Sequence, residues 1–131
     1  MSALFKRISA VVALIAIADH SDKAGHLVKL DGGKAAINDS ATAEAYGVLL
    51  DGEEEGGSDS VAILGGNIGT VKFKAGGAIT QGARLAQKND GTVIVDPAAG
   101  DRVIVGKALE AAAEGELFEG IGVFPIVIDV A

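Results

Sequence analysis

The sequence has no cysteine, no tryptophan and only two prolines among its 131 residues. The absence of cysteine excludes disulfides, thiol catalysis and cysteine-ligated metal sites, and it is typical of a reducing compartment. Because proline is so scarce, the turns must rely on the 19 glycines, which adopt positive φ angles at little cost. Only five aromatic residues are present, so we expect a core made of Val, Ile, Leu and Ala.

Basic residues are also few. Eleven Lys and Arg against 18 Asp and Glu give a net charge of −7, and the basic residues are scattered along the chain. A nucleic-acid-binding domain usually concentrates its basic residues on one face or in one stripe. We therefore expect no binding to DNA or RNA. The length predicts a single domain.

The most regular stretch is residues 71–95, VKFKAGGAITQGARLAQKNDGTVIV. Val71 and Phe73 alternate with lysines, which is the period of a half-buried strand. Asn89-Asp90-Gly91 predicts a tight hairpin turn, because Asp-Gly tolerates the positive φ that such a turn requires. Short strands separated by similar turn signals continue to residue 130, with a final pair of strands expected around Pro125. The fold class we predict is therefore mainly β, a small single-domain β-barrel or β-sandwich.

The sequence also contains an internal repeat at an offset of about 59 positions. Its first copy contains Leu27, Asp31-Gly32, Gly47, Leu50 and Glu55-Gly56, and its second contains Leu85, Asp90-Gly91, Gly106, Leu109 and Glu114-Gly115. A repeat of this length predicts that one β unit is used twice.

Residues 1–18, MSALFKRISAVVALIAIA, differ from the rest. Lys6-Arg7 followed by an apolar run ending in Ala16-Ile17-Ala18 is typical of a secretory signal, although the run is shorter than the roughly 20 residues that span a bilayer. Since Met1 is retained, we expect an uncleaved apolar arm at 1–18, followed by a β domain at 19–131. The pattern fits a helix and a strand equally well. An exported β-domain with an N-terminal signal remains an alternative.

No catalytic, cofactor or metal site is predicted. Asp19, His20, Asp22 and His26 fit no metal-ligand spacing, so we expect a solvated loop with two surface histidines. The acidic loop at 51–60 lacks the alternating ligands of a calcium loop and is also expected to be solvated; its acidic residues are Asp51, Glu53, Glu54, Glu55 and Asp59. The glycines at 65–69 precede a predicted strand, whereas a phosphate-binding loop precedes a helix.

Taken in order, several segments together resemble the small capsid decoration, or cement, proteins of tailed bacteriophages. They are AGHLVKLDG at 24–32, YGVL at 46–49, the spaced residues Phe73, Gly76, Ile79, Gly82 and Leu85, VGKALEAA at 105–112, and GEL at 115–117. The resemblance implies a compact β fold, usually a homotrimer, that binds the major capsid protein on the outer surface of the mature head. It implies no catalysis and no cofactor, and we expect neither a nucleic acid nor a membrane as a partner. It also implies residence in the host cytoplasm before assembly and in the virion afterwards.

The resemblance does not account for the N-terminal arm. By hypothesis, this arm and the last predicted strands make the contacts with the capsid or with neighbouring subunits. The candidate interface residues are Leu4, Phe5, Ile8, Val11, Val12, Ile15, Phe124, Ile126 and Ile128.

A second resemblance belongs to another functional class. The same spaced residues between Phe73 and Leu85 resemble the hammerhead turn of biotinyl and lipoyl carrier domains. Such domains present one modified lysine at a tight hairpin, and here Lys88 precedes the predicted turn without a neighbouring methionine. A carrier domain is therefore the other alternative.

Overall fold

The structure, a computed structural model, describes residues 11–65 and 69–130. These residues form ten strands in two five-stranded antiparallel sheets and contain no helix, which confirms the mainly β prediction. The strands are β1 (Val11–Ile15), β2 (Leu27–Asp31), β3 (Lys34–Ile37), β4 (Gly47–Asp51), β5 (Ser58–Ile63), β6 (Thr70–Lys74), β7 (Arg84–Gln87), β8 (Val93–Val95), β9 (Arg102–Ala108) and β10 (Leu117–Ile128).

The two sheets are copies of one topology. The strand order is β1-β5-β4-β2-β3 in the first and β6-β10-β9-β7-β8 in the second, so adding five to each strand number converts one into the other. We call β1–β5 the first unit and β6–β10 the second unit. In both units the first strand also meets the third through a single parallel bridge, Ala16 with Ala35 and Ala75 with Val93. The sheets do not close into a barrel, and the fold is sandwich-like.

The strand registers confirm the internal repeat. Val11 pairs with Ala62 in the first unit, and Thr70 pairs with Ile121 in the second, each position being 59 residues further along. Elsewhere the offset is smaller. Val28 lies opposite Gly47 and Leu85 lies opposite Gly106, so Leu85 corresponds to Val28, not to Leu27 as the sequence comparison suggested. The loop before β7 is two residues shorter than its counterpart.

Glycines at equivalent turns make equivalent bonds. Gly56 and Gly115 have φ angles of 87° and 88°, which other residues adopt only with strain. Each donates its N–H at 2.9 Å to the carbonyl at the end of its unit's first strand, Ala16 or Ala75. The predicted hairpin turn is also confirmed, since β7 and β8 pair around Gly91, whose φ is 85°.

One hydrophobic core joins the two units into a single domain. Its buried side chains include Leu27 and Val48 from the first unit, and Phe73 and Phe118 from the second, whose ring centroids are 5.9 Å apart. Neighbouring residues of a strand point to opposite faces. The opposite face of the first sheet therefore builds a smaller cluster of its own, formed by Val28, Ala35, Leu49 and Val61.

The last strand differs from its prediction. A pair of strands was expected around Pro125, but residues 117–128 form one strand, β10. Its ladder with β9 is interrupted between Gly122 and Ile126, and Pro125 lies in that interruption. A proline lacks the N–H that a regular ladder needs, so an irregular stretch can accept it without ending the strand.

Candidate interaction surface

The second unit departs from the first at its last strand. β10 has twelve residues and its counterpart β5 has six. Up to Gly122, which lies opposite Gly106, the two strands follow the same register. Beyond the irregular stretch, β10 resumes pairing with β9 at Ile126, opposite Ile104. The additional length therefore has no counterpart in the repeated unit.

This additional length exposes a row of apolar side chains. Phe124, Ile126 and Val130 are 73%, 49% and 57% exposed, and Ile128 between them is half-buried. Phe124, Ile126 and Ile128 alternate along β10 and Val130 follows its end; we call these four residues the C-terminal strip. Val127, between two of them, is also 49% exposed. Residues 120–128 contain no charged side chain. Scattered exposed apolar residues are normal, but a contiguous row of them is typical of an interaction surface.

Neighbouring residues hold the strip in place. Asp101, in the loop before β9, accepts a hydrogen bond from the Val130 N–H at 2.9 Å and fixes the end of the strip. At the other end, the backbone of Gly65 lies against Phe124. A Cβ atom on Gly65 would come within 2.8 Å of the Phe124 nitrogen. The strip is therefore attached at both ends to the body of the domain.

The predicted interface residues fall into three groups. Leu4, Phe5 and Ile8 lie outside the described residues. Val11, Val12 and Ile15 belong to β1, an edge strand of the first sheet that pairs with β5. Val12 is half-buried against the smaller cluster, whereas Ile15 is exposed. Phe124, Ile126 and Ile128 come together on the strip.

Beneath the acidic loop lies a buried His–Asp pair that the sequence analysis missed. His20 and Asp59 are 2% and 0% exposed, and the His20 Nδ1 atom lies 2.6 Å from an Asp59 carboxylate oxygen. The other carboxylate oxygen accepts the Glu53 N–H at 2.8 Å, and the His20 N–H donates to the Glu53 carbonyl at 2.8 Å. The expectation of a surface His20 and a solvated Asp59 is therefore wrong.

The repeat explains where this pair lies. The His20 N–H bond to Glu53 is matched by the Ile79 N–H bond to Ala112, and Asp59 is matched at an offset of 59 by Phe118. The first unit thus has a polar pair where the second unit has two buried apolar side chains. Aligning the two halves of the sequence would have placed His20 and Asp59 opposite Ile79 and Phe118, and so indicated that both are buried.

His26 was also expected at the surface and is buried. Its burial lowers the pKa of the imidazole, although the Nδ1 atom lies 2.9 Å from the Lys23 carbonyl oxygen. Within residues 11–65 and 69–130, no group of three His, Asp or Glu side chains is arranged to hold a metal ion. The remaining acidic residues of the 51–60 loop, Asp51 and Glu53 to Glu55, are exposed.

Lys88 has a different environment from a carrier lysine. It is half-buried, and its ammonium group donates to the Gly76 carbonyl at 3.0 Å. A carrier domain needs this side chain free at the tip of a hairpin. The geometry around Lys88 therefore does not favour the carrier alternative.

An open groove of about 250 Å³ lies where the two units meet, between Leu50 of β4 and Leu117 of β10. At its rim, Glu119 accepts a hydrogen bond from Thr70 and lies 3.5 Å from the Lys72 ammonium group. The Thr70 hydrogen bond, with the nearby Lys72 charge, lowers the pKa of Glu119. A carboxylate with a lowered pKa takes up a proton less readily, so Glu119 is a weaker general base than an ordinary glutamate.

No family model and no curated protein matches this sequence. Among solved structures, the fold is similar to that of the head fiber gp8.5 N base in bacteriophage phi29. The two chains are 21% identical with a TM-score of 0.63, and the match covers 86% of this chain and 92% of that chain. At this identity the likeness establishes a shared fold. The part of the chain that the structure describes contains no helix long and apolar enough to cross a membrane.

Proposed function

We propose that this chain is a structural protein of a tailed-phage virion that binds the outer surface of the head. In this role it clamps neighbouring major capsid subunits and stabilises the shell. The observation that carries the proposal is the exposed C-terminal strip, on a fold shared with the base of a phage head fiber. The ordered segments that resemble cement proteins support the same role.

The physical features of the domain suit such a role. A lattice presents many equivalent sites, so a modest interface repeated in many copies supplies a large total free energy. An apolar strip beside a strand edge can add to a strand of another protein, because strand addition satisfies backbone groups across the contact. The net charge of −7 keeps the decorated particle soluble and repels free DNA.

We extend the proposal to a homotrimer without catalytic activity or cofactor, located in the host cytoplasm before assembly. The basis is the resemblance to cement proteins. The strip is the proposed capsid contact, and the exposed Ile15 on β1 remains a candidate for contact with the capsid or another subunit. Val12 contributes instead to packing within the first unit.

Sedimentation with mature heads tests this role. The purified protein should pellet with the heads and saturate at a fixed number of copies per head. Sedimentation of the free protein should give a mass three times that of the 13.1 kDa chain. Protein that stays in the supernatant at every ratio would contradict the virion role, whereas binding by a monomer would contradict only the trimer.

A further inference from the structure

The C-terminal strip lies beside an open strand edge. β6 pairs with β10 only from Leu117 to Ile121, while β9 occupies the other edge as far as Ile128. Among the residues that the structure describes, no strand pairs with the second edge of residues 126–128. An apolar, unpaired edge promotes aggregation, and proteins usually cover or charge such edges. No charge lies within residues 120–128, and Pro125 and the irregular stretch protect the edge only before Ile126, so residues 126–128 keep an open apolar edge.

The described part of the chain begins near this edge. β1 runs antiparallel to β5, and its first residue, Val11, lies opposite Ala62, three residues before Gly65. Gly65 in turn lies against the Phe124 backbone, where the strip begins. Val11, to which residues 1–10 are joined, therefore lies on the side of the domain where the strip begins.

The length and composition of residues 1–10 match the strip. The residues before Ile8 can extend about 23 Å, and the strip from Phe124 to Val130 is about 20 Å long. The segment also contains Leu4, Phe5 and Ile8, which are apolar side chains of the kind that would pack on the strip.

Charge favours docking of this segment on the rest of the chain. Residues 1–10 contain Lys6 and Arg7 and no acidic residue, so the rest of the chain carries a formal charge of −9. The segment and the body therefore attract each other. We propose that residues 1–10 dock along β10 of their own chain and cover the C-terminal strip in the free protein.

This inference goes beyond the proposed function, because it concerns the protein before any capsid is present. It gives Leu4, Phe5 and Ile8 an intramolecular role. Removing them should leave binding to heads intact or strengthen it, since the strip would be open from the start.

A tryptophan reporter tests the inference. The chain has no native tryptophan, so Phe124→Trp places a single fluorophore on the strip, and Leu30→Trp places one on β2 at a residue that is 47% exposed. Deletion of residues 2–10 should shift the emission of the Phe124→Trp protein to the red and raise its acrylamide quenching severalfold. The same deletion should leave the Leu30→Trp protein unchanged.

Two controls separate the possible results. If the shortened chain does not fold, Phe5→Asp in the full-length Phe124→Trp protein should uncover the reporter in the same way. Shielding that persists in both variants would overturn the proposal. Shielding that is lost on dilution would also overturn it, because it would mean that a second copy covers the strip. These measurements use free protein, so a failure to bind heads would affect the proposed function alone.

Discussion

Replacing the buried His20–Asp59 pair by apolar residues tests the relation between the two units. The second unit has Ile79 and Phe118 at these positions, so the test variant is His20→Ile with Asp59→Leu. Leucine is preferred to phenylalanine because its size is closer to that of the aspartate that it replaces. Each single variant leaves one buried polar or charged group without its partner.

The expected magnitudes follow from the burial of both side chains. Both residues are almost fully buried, and removing one member of such a pair costs about 3–5 kcal/mol when the remaining group is charged. Replacing the whole pair by apolar residues is often neutral or stabilising. The double variant also loses the acceptor for the Glu53 N–H, at a cost of about 1–3 kcal/mol. We therefore expect it to lie within about 2 kcal/mol of the natural protein.

Urea unfolding followed by circular dichroism measures these differences. With a slope of about 2 kcal/mol per molar urea, each single variant should unfold about 2 M earlier than the natural protein. The double variant should recover most of that loss, giving a coupling energy of several kcal/mol. Additive losses in the double variant would refute the reasoning, because the two side chains would then not depend on each other.

Three further predictions concern the core, the turns and the pH dependence of stability. Phe73→Ala should lower the free energy of unfolding by about 3–5 kcal/mol in urea titrations, since Phe73 is fully buried in the shared core. Gly115→Ala should cost about 1–3 kcal/mol because of its positive φ. At Gly77 the φ is ordinary and a new Cβ would lie 3.8 Å from an Ile94 methyl carbon, so Gly77→Ala should cost nothing measurable or stabilise slightly in the same titration. Burial raises the pKa of Asp96, but hydrogen bonds from Ala98 and Arg102 and the charges of Arg102 and Arg84 outweigh it, so the folded pKa lies below 3.8. The charged Asp96 therefore stabilises the fold above about pH 4, and this contribution disappears as the pH falls through the folded pKa. Thermal melts of Asp96→Asn should lack that acid-induced loss; an unchanged pH profile would contradict the assignment.

The sequence predicted those features that depend on neighbouring residues. Asp90-Gly91 identified the β7–β8 hairpin because a positive φ is a local requirement. The offset of 59 identified the repeat, because Gly106 must be small. A Cβ atom there would lie 2.5 Å from the Ile121 carbonyl oxygen, and Gly47 faces Ala62 in the same way at 2.4 Å. Because the neighbouring backbone leaves no room for a Cβ atom, both positions must be glycine, and the repeat is visible in the sequence there.

The features that were missed depend on distant residues. His20 lies in a polar segment that resembles a solvated loop, and its partner Asp59 is 39 positions away. The sequence of β1 is compatible with a helix or a strand, and its backbone hydrogen bonds to β5 make it a strand. The sequence predicted two strands around Pro125, because proline usually interrupts a strand. The pairing of β10 with β9 resumes at Ile126, and this depends on residues of β9 that are distant in the sequence.

The most direct test of the proposed function is to place a charge on the strip and measure binding to mature heads. Ile126→Asp adds one charge at a residue that is 49% exposed, and Leu30→Asp adds the same charge at a residue of matched exposure on β2. Both variants should melt like the natural protein. We predict that Ile126→Asp no longer pellets with heads while Leu30→Asp saturates them as the natural protein does. Equal binding by the two variants would contradict the claim that the C-terminal strip is the capsid contact.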